Sequence, residues 1–401
     1  MKKIFYISYW GVKEGLSVST VYPNLRILSG MEGVERVAYF TVERASDKLF
    51  KDSLPPMPKI THHPIISKDY KISLLTKIAD WQRIRKTILQ KAKEIKPDFV
   101  ICRTAMAGAF GTMLFEKMGI PYAVESFEPH AAYMEESGVW KKGGLRHRFQ
   151  LQKEKKIKAT AKYLITVSHN YYKYLEEKEG IAAAGLKTVP CMVDPNAFAF
   201  DEEKRIDIRA ELNISTETKV GVYLGKFGGI YYDDEAFRLF KASLDYYNGD
   251  FFLILLTPTD TTEIYEKLAR VAFPKEKTWV GVVPHAKVPD YLSAADFAYN
   301  LHAAGPTRIA LSPIKNGEYW ANGLPILIAD GIGDDSDIIK QEGGGAIMDI
   351  NQASSIQKAL QTIDLIIKDQ NAREKIKDIA LKHRNFKIGA AVYQAIVPVK
   401  R

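Results

Sequence analysis

The sequence predicts an α/β protein built from two doubly wound parallel sheets. Three observations lead there. Short apolar runs alternate with longer polar stretches of helical spacing. The alternation runs through the first half of the chain and then restarts. Finally, 401 residues at 46% hydrophobic and 26% charged is an ordinary globular composition, long enough for two cores.

In the first half, residues 4–9, 37–42, 99–102, 122–125 and 163–167 read as strands. Residues 74–95 carry Leu75, Ile78, Ile84, Ile88 and Leu89 at helical spacing, and Pro97 stops that helix before the next strand. In the second half, 220–224, 251–256, 279–282, 297–300, 325–329 and 345–348 read as strands, with helices such as 235–246 and 263–271 between them. The short spacings fit right-handed crossovers. The boundary is placed at 190–200, where Thr188-Val189-Pro190 ends a strand and a polar stretch, 201–215, follows. The domains expected are therefore 1–195 and 196–375, with a further amphipathic helical segment in the tail. No repeat of 20–50 residues is present.

Charge is uneven. Residues 1–200 carry 32 Lys and Arg against 20 Asp and Glu, while residues 201–401 carry 25 against 28. The first half is thus expected to face something anionic or to carry solvated basic helix faces. The densest basic run joins 141–148 to 153–162, flanked by Trp140 and Phe149. It could rest on an anionic membrane surface or be a solvated helix face. No nucleic-acid motif accompanies it, so no nucleic-acid partner is expected. The basic, apolar start is too short for a signal peptide and lacks a cleavage site. No run approaches the ~18 apolar residues of a membrane span. Cys102 and Cys191 form no CxxC pair. They suggest neither disulfides nor a cysteine metal site, and a cytoplasmic setting.

Ligands of open parallel sheets bind beyond the carboxyl ends of strands. After the first strand, Trp10-Gly11-Val12-Lys13-Glu14-Gly15 lacks the dinucleotide spacing. Gly11 and Gly15 suit either a loop that admits a second substrate or a plain turn. The second unit opens with Tyr223-Leu224-Gly225-Lys226-Phe227-Gly228-Gly229, a glycine-rich turn whose N–H groups could approach a phosphate beside the Lys226 charge. The densest segment is 311–325. Pro313 suits a helix start and Ser312 could cap it. The helix N-terminus favours an anion. Glu318, a turn further on, could accept hydrogen bonds from vicinal hydroxyls such as those of ribose, or be solvated. Gly323 ends the helix before Pro325. His62-His63 precedes Pro64 in what reads as a loop, an arrangement that rarely holds metal.

This segment resembles the donor-site signature of retaining glycosyltransferases of the GT-B fold, family 4. Ser312, Pro313, Lys315, Glu318, Tyr319, Ala321, Gly323 and Pro325 fit its pattern, followed by a strand and Gly331-Ile332-Gly333-Asp334. Segments 288–296, 162–168 and 189–194 are similar to other family segments, in the right order. The resemblance implies two Rossmann-like doubly wound parallel-sheet domains facing a cleft, with a C-terminal helix at about 376–401 crossing back to the first. It implies a UDP- or GDP-sugar co-substrate, no cofactor, and no metal, since the family generally needs no active-site divalent ion; no Asp-x-Asp donor motif is recognised. The expected activity is transfer of a sugar, with retention, to a glycan or lipid-linked acceptor in surface polysaccharide biosynthesis. Such an enzyme would be cytoplasmic, at the inner face of the membrane.

By the same resemblance Glu318 holds the donor ribose, Lys226 with Gly225 and Phe227 faces the diphosphate, and Ser312, Pro313 and Ile314 form the phosphate-contacting helix start. Residues 279–283, Val282 among them, frame the base. His130 takes the place of a histidine near the transferring sugar, with Glu128, Gly11 and Gly15 on the acceptor side. The catalytic set expected is His130, Lys226 and Glu318. Two departures stand out. Ala310 occupies the position of a second glutamate, and Tyr232 that of a second basic residue, for which Arg308 is a substitute. A nucleotide-sugar epimerase or phosphorylase on the same fold, or a catalytically inactive nucleotide-sugar-binding subunit, would share most of these features.

Overall fold

The computed structural model describes residues 1–44, 54–67 and 74–397. Two compact units result: Met1–Met192 with Phe386–Arg401, and Val193–Asn385. Each contains one all-parallel sheet.

The first sheet holds β1 (Lys2–Ser8), β2 (Val34–Arg44), β3 (Ile60–Ser67), β4 (Phe99–Arg103), β5 (Tyr122–Glu125), β6 (Tyr163–Thr166) and β7 (Leu186–Thr188), in the order β3-β2-β1-β4-β5-β6-β7. The second holds β8 (Lys219–Leu224), β9 (Phe251–Leu256), β10 (Thr278–Gly281), β11 (Phe297–Tyr299), β12 (Ile326–Ala329) and β13 (Gly345–Met348), in the order β10-β9-β8-β11-β12-β13. In each sheet the strand order reverses beside the first strand. The crevices for ligands are therefore expected beyond the carboxyl ends of β1 and β4, and of β8 and β11.

Burial on both faces explains the strand sequences. Phe251, Leu253 and Leu255 of β9 enter one core, with Phe237 and Phe240 of the helix Asp234–Tyr246. Phe252, Ile254 and Leu256 enter the opposite core, with Tyr319 and Trp320. A strand covered on both faces needs apolar residues without alternation. In the first unit, Gly108 and Gly111 let the helix Thr104–Met118 lie close on the sheet. A Cβ at Gly111 would stand 2.4 Å from the Tyr122 ring and 2.9 Å from Cys102 Sγ.

Three sequence expectations are corrected. His62 and His63 lie in strand β3, not a loop. β3 is an edge strand of the described sheet, a position that tolerates proline. His62 meets Thr41 Oγ1 at 2.7 Å, and burial holds its pKa down at about 4. The polar stretch 201–215 contains a helix, Glu202–Glu211, capped by Asp201 Oδ1 accepting from Lys204 N at 3.1 Å. Its Arg205 and Arg209 reach Asp296 at 2.7 and 2.9 Å, so charge docks it together with a single buried apolar side chain, Ile208. The tail expected as one crossing helix at 376–401 is two helices. Ala372–His383 belongs to the second unit and Phe386–Ile396 to the first. The chain turns between them where Arg384 O accepts from Val193 N at 2.9 Å. Cys102 is buried and Cys191 half-buried, and neither is in a disulfide among the described residues.

Replacing Gly111 by Ala should cost about 1–3 kcal/mol through overpacking. Gly30→Ala, with nothing within 4 Å of the new methyl, should be neutral or stabilising by under about 1 kcal/mol. Urea unfolding of both variants checks the contrast.

Candidate functional site

In the second unit, the loops after β8 and β11 and the start of the helix Ile314–Ala321 converge at the carboxyl end of the sheet. The glycine-rich turn leaves β8 with Gly225, Gly228 and Gly229 at φ of +140°, +76° and +67°, conformations that favour glycine. Tyr232 N donates to Leu301 O at 2.8 Å and Ala303 N to Ile230 O at 2.9 Å, which fixes this turn against the loop after β11. Leu224 N donates to Tyr319 Oη at 2.8 Å, tying the end of β8 to the helix.

The helix itself is held by a buried polar chain. Asn300 Nδ2 donates to Asn316 Oδ1 at 2.8 Å, and Asn316 Nδ2 donates to Asp335 Oδ2 at 2.7 Å. Arg384 bridges Asp335 and Ser312 Oγ, with both charged side chains 2% exposed. Burial raises the Asp335 pKa, opposed by Arg384 and Asn316. Ser312 therefore does not cap the helix as expected. Pro313 is the cap residue, without a side-chain cap bond, and the Ser312 hydroxyl serves Arg384. The helix N–H groups at 314 and 315 have no earlier carbonyl within the helix to receive them.

Glu318 is 4% exposed, and its Oε1 lies 3.2 Å from His285 Nε2. That hydrogen bond raises the His285 pKa against the opposing effect of burial. The His285 side chain is 59% exposed, so a ligand can displace it. Lys226 is exposed at the tip of the glycine turn. Phe227 packs inward on Tyr223 and Phe237, each at 5.0 Å between ring centres. Val282 is exposed just past β10. Arg308 is buried, donating from Nε to Ala303 O at 3.0 Å and from Nη1 to Thr307 Oγ1 at 2.8 Å. Its guanidinium thus braces its own loop.

An Asp-x-Asp triplet does occur in this unit, Asp335-Ser336-Asp337. Its carboxylates are engaged separately, Asp335 by Arg384 and Asn316, and Asp337 with Lys340 at 3.6 Å. Among the described residues no group of three His, Cys, Asp or Glu side chains is placed to hold a metal ion.

In the first unit, a small hollow lies at the carboxyl ends of β4 to β6, lined in part by Thr20, Asn24, Arg103, Glu125, Cys191 and Tyr393. Buried Glu125 accepts from Asn24 Nδ2 and Arg103 Nη1, both at 3.2 Å, and from the hydroxyls of Tyr6 and Tyr393. Thr104 and Ser126, the residues just after β4 and β5, have φ of +66° and +47°, strained values that often mark functional positions. His130 opens the helix His130–Glu136 and its Nδ1 lies 3.1 Å from Glu128 Oε1. Burial lowers its pKa, but Glu128 outweighs this and leaves it raised. A Cβ at Gly11 would be 2.8 Å from Glu43 Oε2, the end of a side chain, whereas Gly15 has open space.

The structure thus brings together Gly225, Lys226, Ser312, Pro313, Ile314 and Glu318 in one unit, and Glu128 with His130 in the other. Sequence reasoning missed His285 and the Arg103–Glu125 cluster, and it counted Lys315 in the recognised pattern without giving it a role. That pattern position was the available signal for Lys315.

No family model matches this chain, and neither does any curated protein. Solved structures do. The chain is similar to sucrose-phosphate synthase from Thermosynechococcus elongatus, at 16% identity and a TM-score of 0.74, over 99% of this chain and 98% of that one. It is similar to HepE of Anabaena in complex with UDP-glucose, at 13% identity and a TM-score of 0.72, over 99% of each chain. A third is WaaG, a glycosyltransferase involved in lipopolysaccharide biosynthesis, at 13% identity and a TM-score of 0.68, over 98% of this chain and 99% of that one. Identities this low establish the fold, which is GT-B, with two Rossmann-like parallel-sheet domains.

Arg384→Met should destabilise the second unit by about 3–5 kcal/mol, because it leaves the Asp335 carboxylate buried and unpaired. Adding Asp335→Asn should recover part of that loss. Urea unfolding of the single and double variants measures both effects.

Proposed function

We propose that this protein is a retaining glycosyltransferase of the family 4 type, taking a UDP- or GDP-sugar as donor and a glycan or lipid-linked acceptor. One observation carries the reading. A helix start and a glycine-rich turn meet at the switch point of the second sheet, with buried Glu318 one turn along, held among the described residues by a displaceable histidine. Such a start suits a diphosphate, and such a carboxylate suits ribose hydroxyls. That UDP and UDP-glucose are bound in structures of similar fold supports the same donor class.

In this reading the leaving diphosphate is stabilised by Lys226 and the helix start at 312–314, fixed charges aimed where negative charge develops. The acceptor is handled by the first unit, with His130 and Glu128 near the transferring sugar. No divalent ion takes part. The enzyme works in surface polysaccharide biosynthesis at the inner face of the membrane. Support for the last point comes from the helix Leu145–Thr160. It turns His147, Gln150 and Glu154 inward and leaves Leu145 and Phe149 84% and 58% exposed among Arg146, Arg148 and neighbouring lysines. Exposed apolar side chains within a basic surface suit anionic headgroups. Among the described residues no helix is long and apolar enough to cross a membrane.

Thermal unfolding with UDP, GDP, ADP or CMP, with and without EDTA, tests the donor assignment. One nucleoside diphosphate should raise the Tm of the wild type by several degrees, unaffected by EDTA, and leave Glu318→Ala unmoved. Lys226→Ala should reduce turnover about tenfold or more. Absence of stabilisation by every nucleotide would contradict the proposal.

A further inference from the structure

We propose that Lys315 is a donor-binding residue whose ammonium supplies the second positive charge on the diphosphate, the charge missing at Tyr232. The proposal rests on the donor reading above and names a residue for which that reading had no role. Lys315 is the second residue of the helix Ile314–Ala321. It is 9% exposed, and its Nζ has no hydrogen-bond partner among the described residues. The ammonium lies over two rings, 4.4 Å from the centre of Tyr231 and 4.7 Å from that of Tyr223. Cation–π contacts offset only part of the cost of burying an ammonium with no acceptor.

Its placement suggests what the acceptor is. A Cβ at Gly225 would lie 2.5 Å from Lys315 Nζ. The glycine turn therefore passes directly over the ammonium, and any side chain at Gly225 would close that approach. The same turn and the same helix start are the two features that suit a phosphate. Arg308, the alternative source of charge, is occupied by its own loop. Lys315 is thus the buried cation at this end of the sheet whose three donors await acceptors, and phosphate oxygens are such acceptors.

The groups facing it are Glu318 on its own helix, His302 after β11, Tyr223 at the end of β8 and Tyr231 on the glycine turn, with Lys226 exposed on that turn. Burial lowers the Lys315 pKa to about 7, with Glu318 opposing. His302 is held well below its ordinary range, by burial and then by the Lys315 and Arg308 charges. At pH 8 the free protein therefore carries Lys315 mainly neutral, and a bound diphosphate restores its proton. Without ligand, the unfolded chain holds that proton up to about pH 10 and the folded chain only to about 7. Lys315 thus lowers stability most below pH 7, and the loss fades as pH rises toward 10.

Calorimetric titration of the full chain with UDP and UMP, and likewise with GDP and GMP, at pH 8 in two buffers of different ionisation enthalpy tests the proposal. The wild type should bind one diphosphate with uptake of nearly one proton. Lys315→Met should weaken that diphosphate about 10- to 100-fold, change the matching monophosphate by less than about threefold, and abolish the proton uptake. Lys315→Gln, smaller and uncharged, should abolish the uptake as well. Without nucleotide at pH 6, Lys315→Met should melt at or above the wild-type temperature, which separates lost binding from lost folding. Wild-type affinity and proton uptake in both variants would overturn the role of Lys315 and leave the donor reading standing. A wild type that binds none of the four nucleotides would overturn both.

Discussion

The carboxyl end of the second sheet depends on one buried chain of hydrogen bonds, from Asn300 through Asn316 and Asp335 to Arg384 and on to Ser312. It joins the loop after β11, the helix that follows, the loop after β12 and the end of the last helix of this unit. Each member satisfies its neighbour, so the chain avoids the cost of an unpaired polar group in the core. Its result is positional. The start of the helix Ile314–Ala321 is held against the glycine turn, so the backbone N–H groups, Lys315 and Glu318 share one small volume. A surface helix with the same sequence but without Asp335 behind it would have no fixed direction for its first turn.

The first unit solves a similar problem with different chemistry. Glu125 collects Arg103, Asn24 and two tyrosine hydroxyls, one of them Tyr393 from the helix Phe386–Ile396. The carboxylate thereby fastens the last described helix of the chain to the end of β5. Both units place a buried charged cluster at carboxyl strand ends, Arg103–Glu125 in the first and Asp335–Arg384 with Lys315 and Glu318 in the second. In the second unit the Lys315 ammonium is buried with no hydrogen-bond partner among the described residues.

Much of this was legible in the sequence, and the parts that were not have physical reasons. Doubly covered strands such as Phe251–Leu256 and Gly345–Met348 stand out as apolar runs of the right length. β3 does not, because an edge strand tolerates Pro64 and half-polar content. The helix Glu202–Glu211 was hidden because arginines bound to Asp296 dock it, where pattern reading looks for leucines. The segment 311–325 was recognisable through Pro313, Glu318 and Gly323, whose backbone and charge roles are local. Ser312 misled, since its partner Arg384 is 72 residues away. Lys315 stood in the recognised pattern but was given no role, because lysines on helices are mostly solvated and only the packing of Tyr223 and Tyr231 around it reveals burial. Arg308 looked like free charge, and only the fold shows it turned onto its own loop.

A crystal structure of the protein soaked with its stabilising nucleoside diphosphate is the most direct test of the central claim. The account predicts ribose hydroxyls on the Glu318 carboxylate, with His285 displaced, and phosphate oxygens on the N–H groups at the start of the helix Ile314–Ala321. A nucleotide bound elsewhere, with Glu318 still paired to His285, would contradict it.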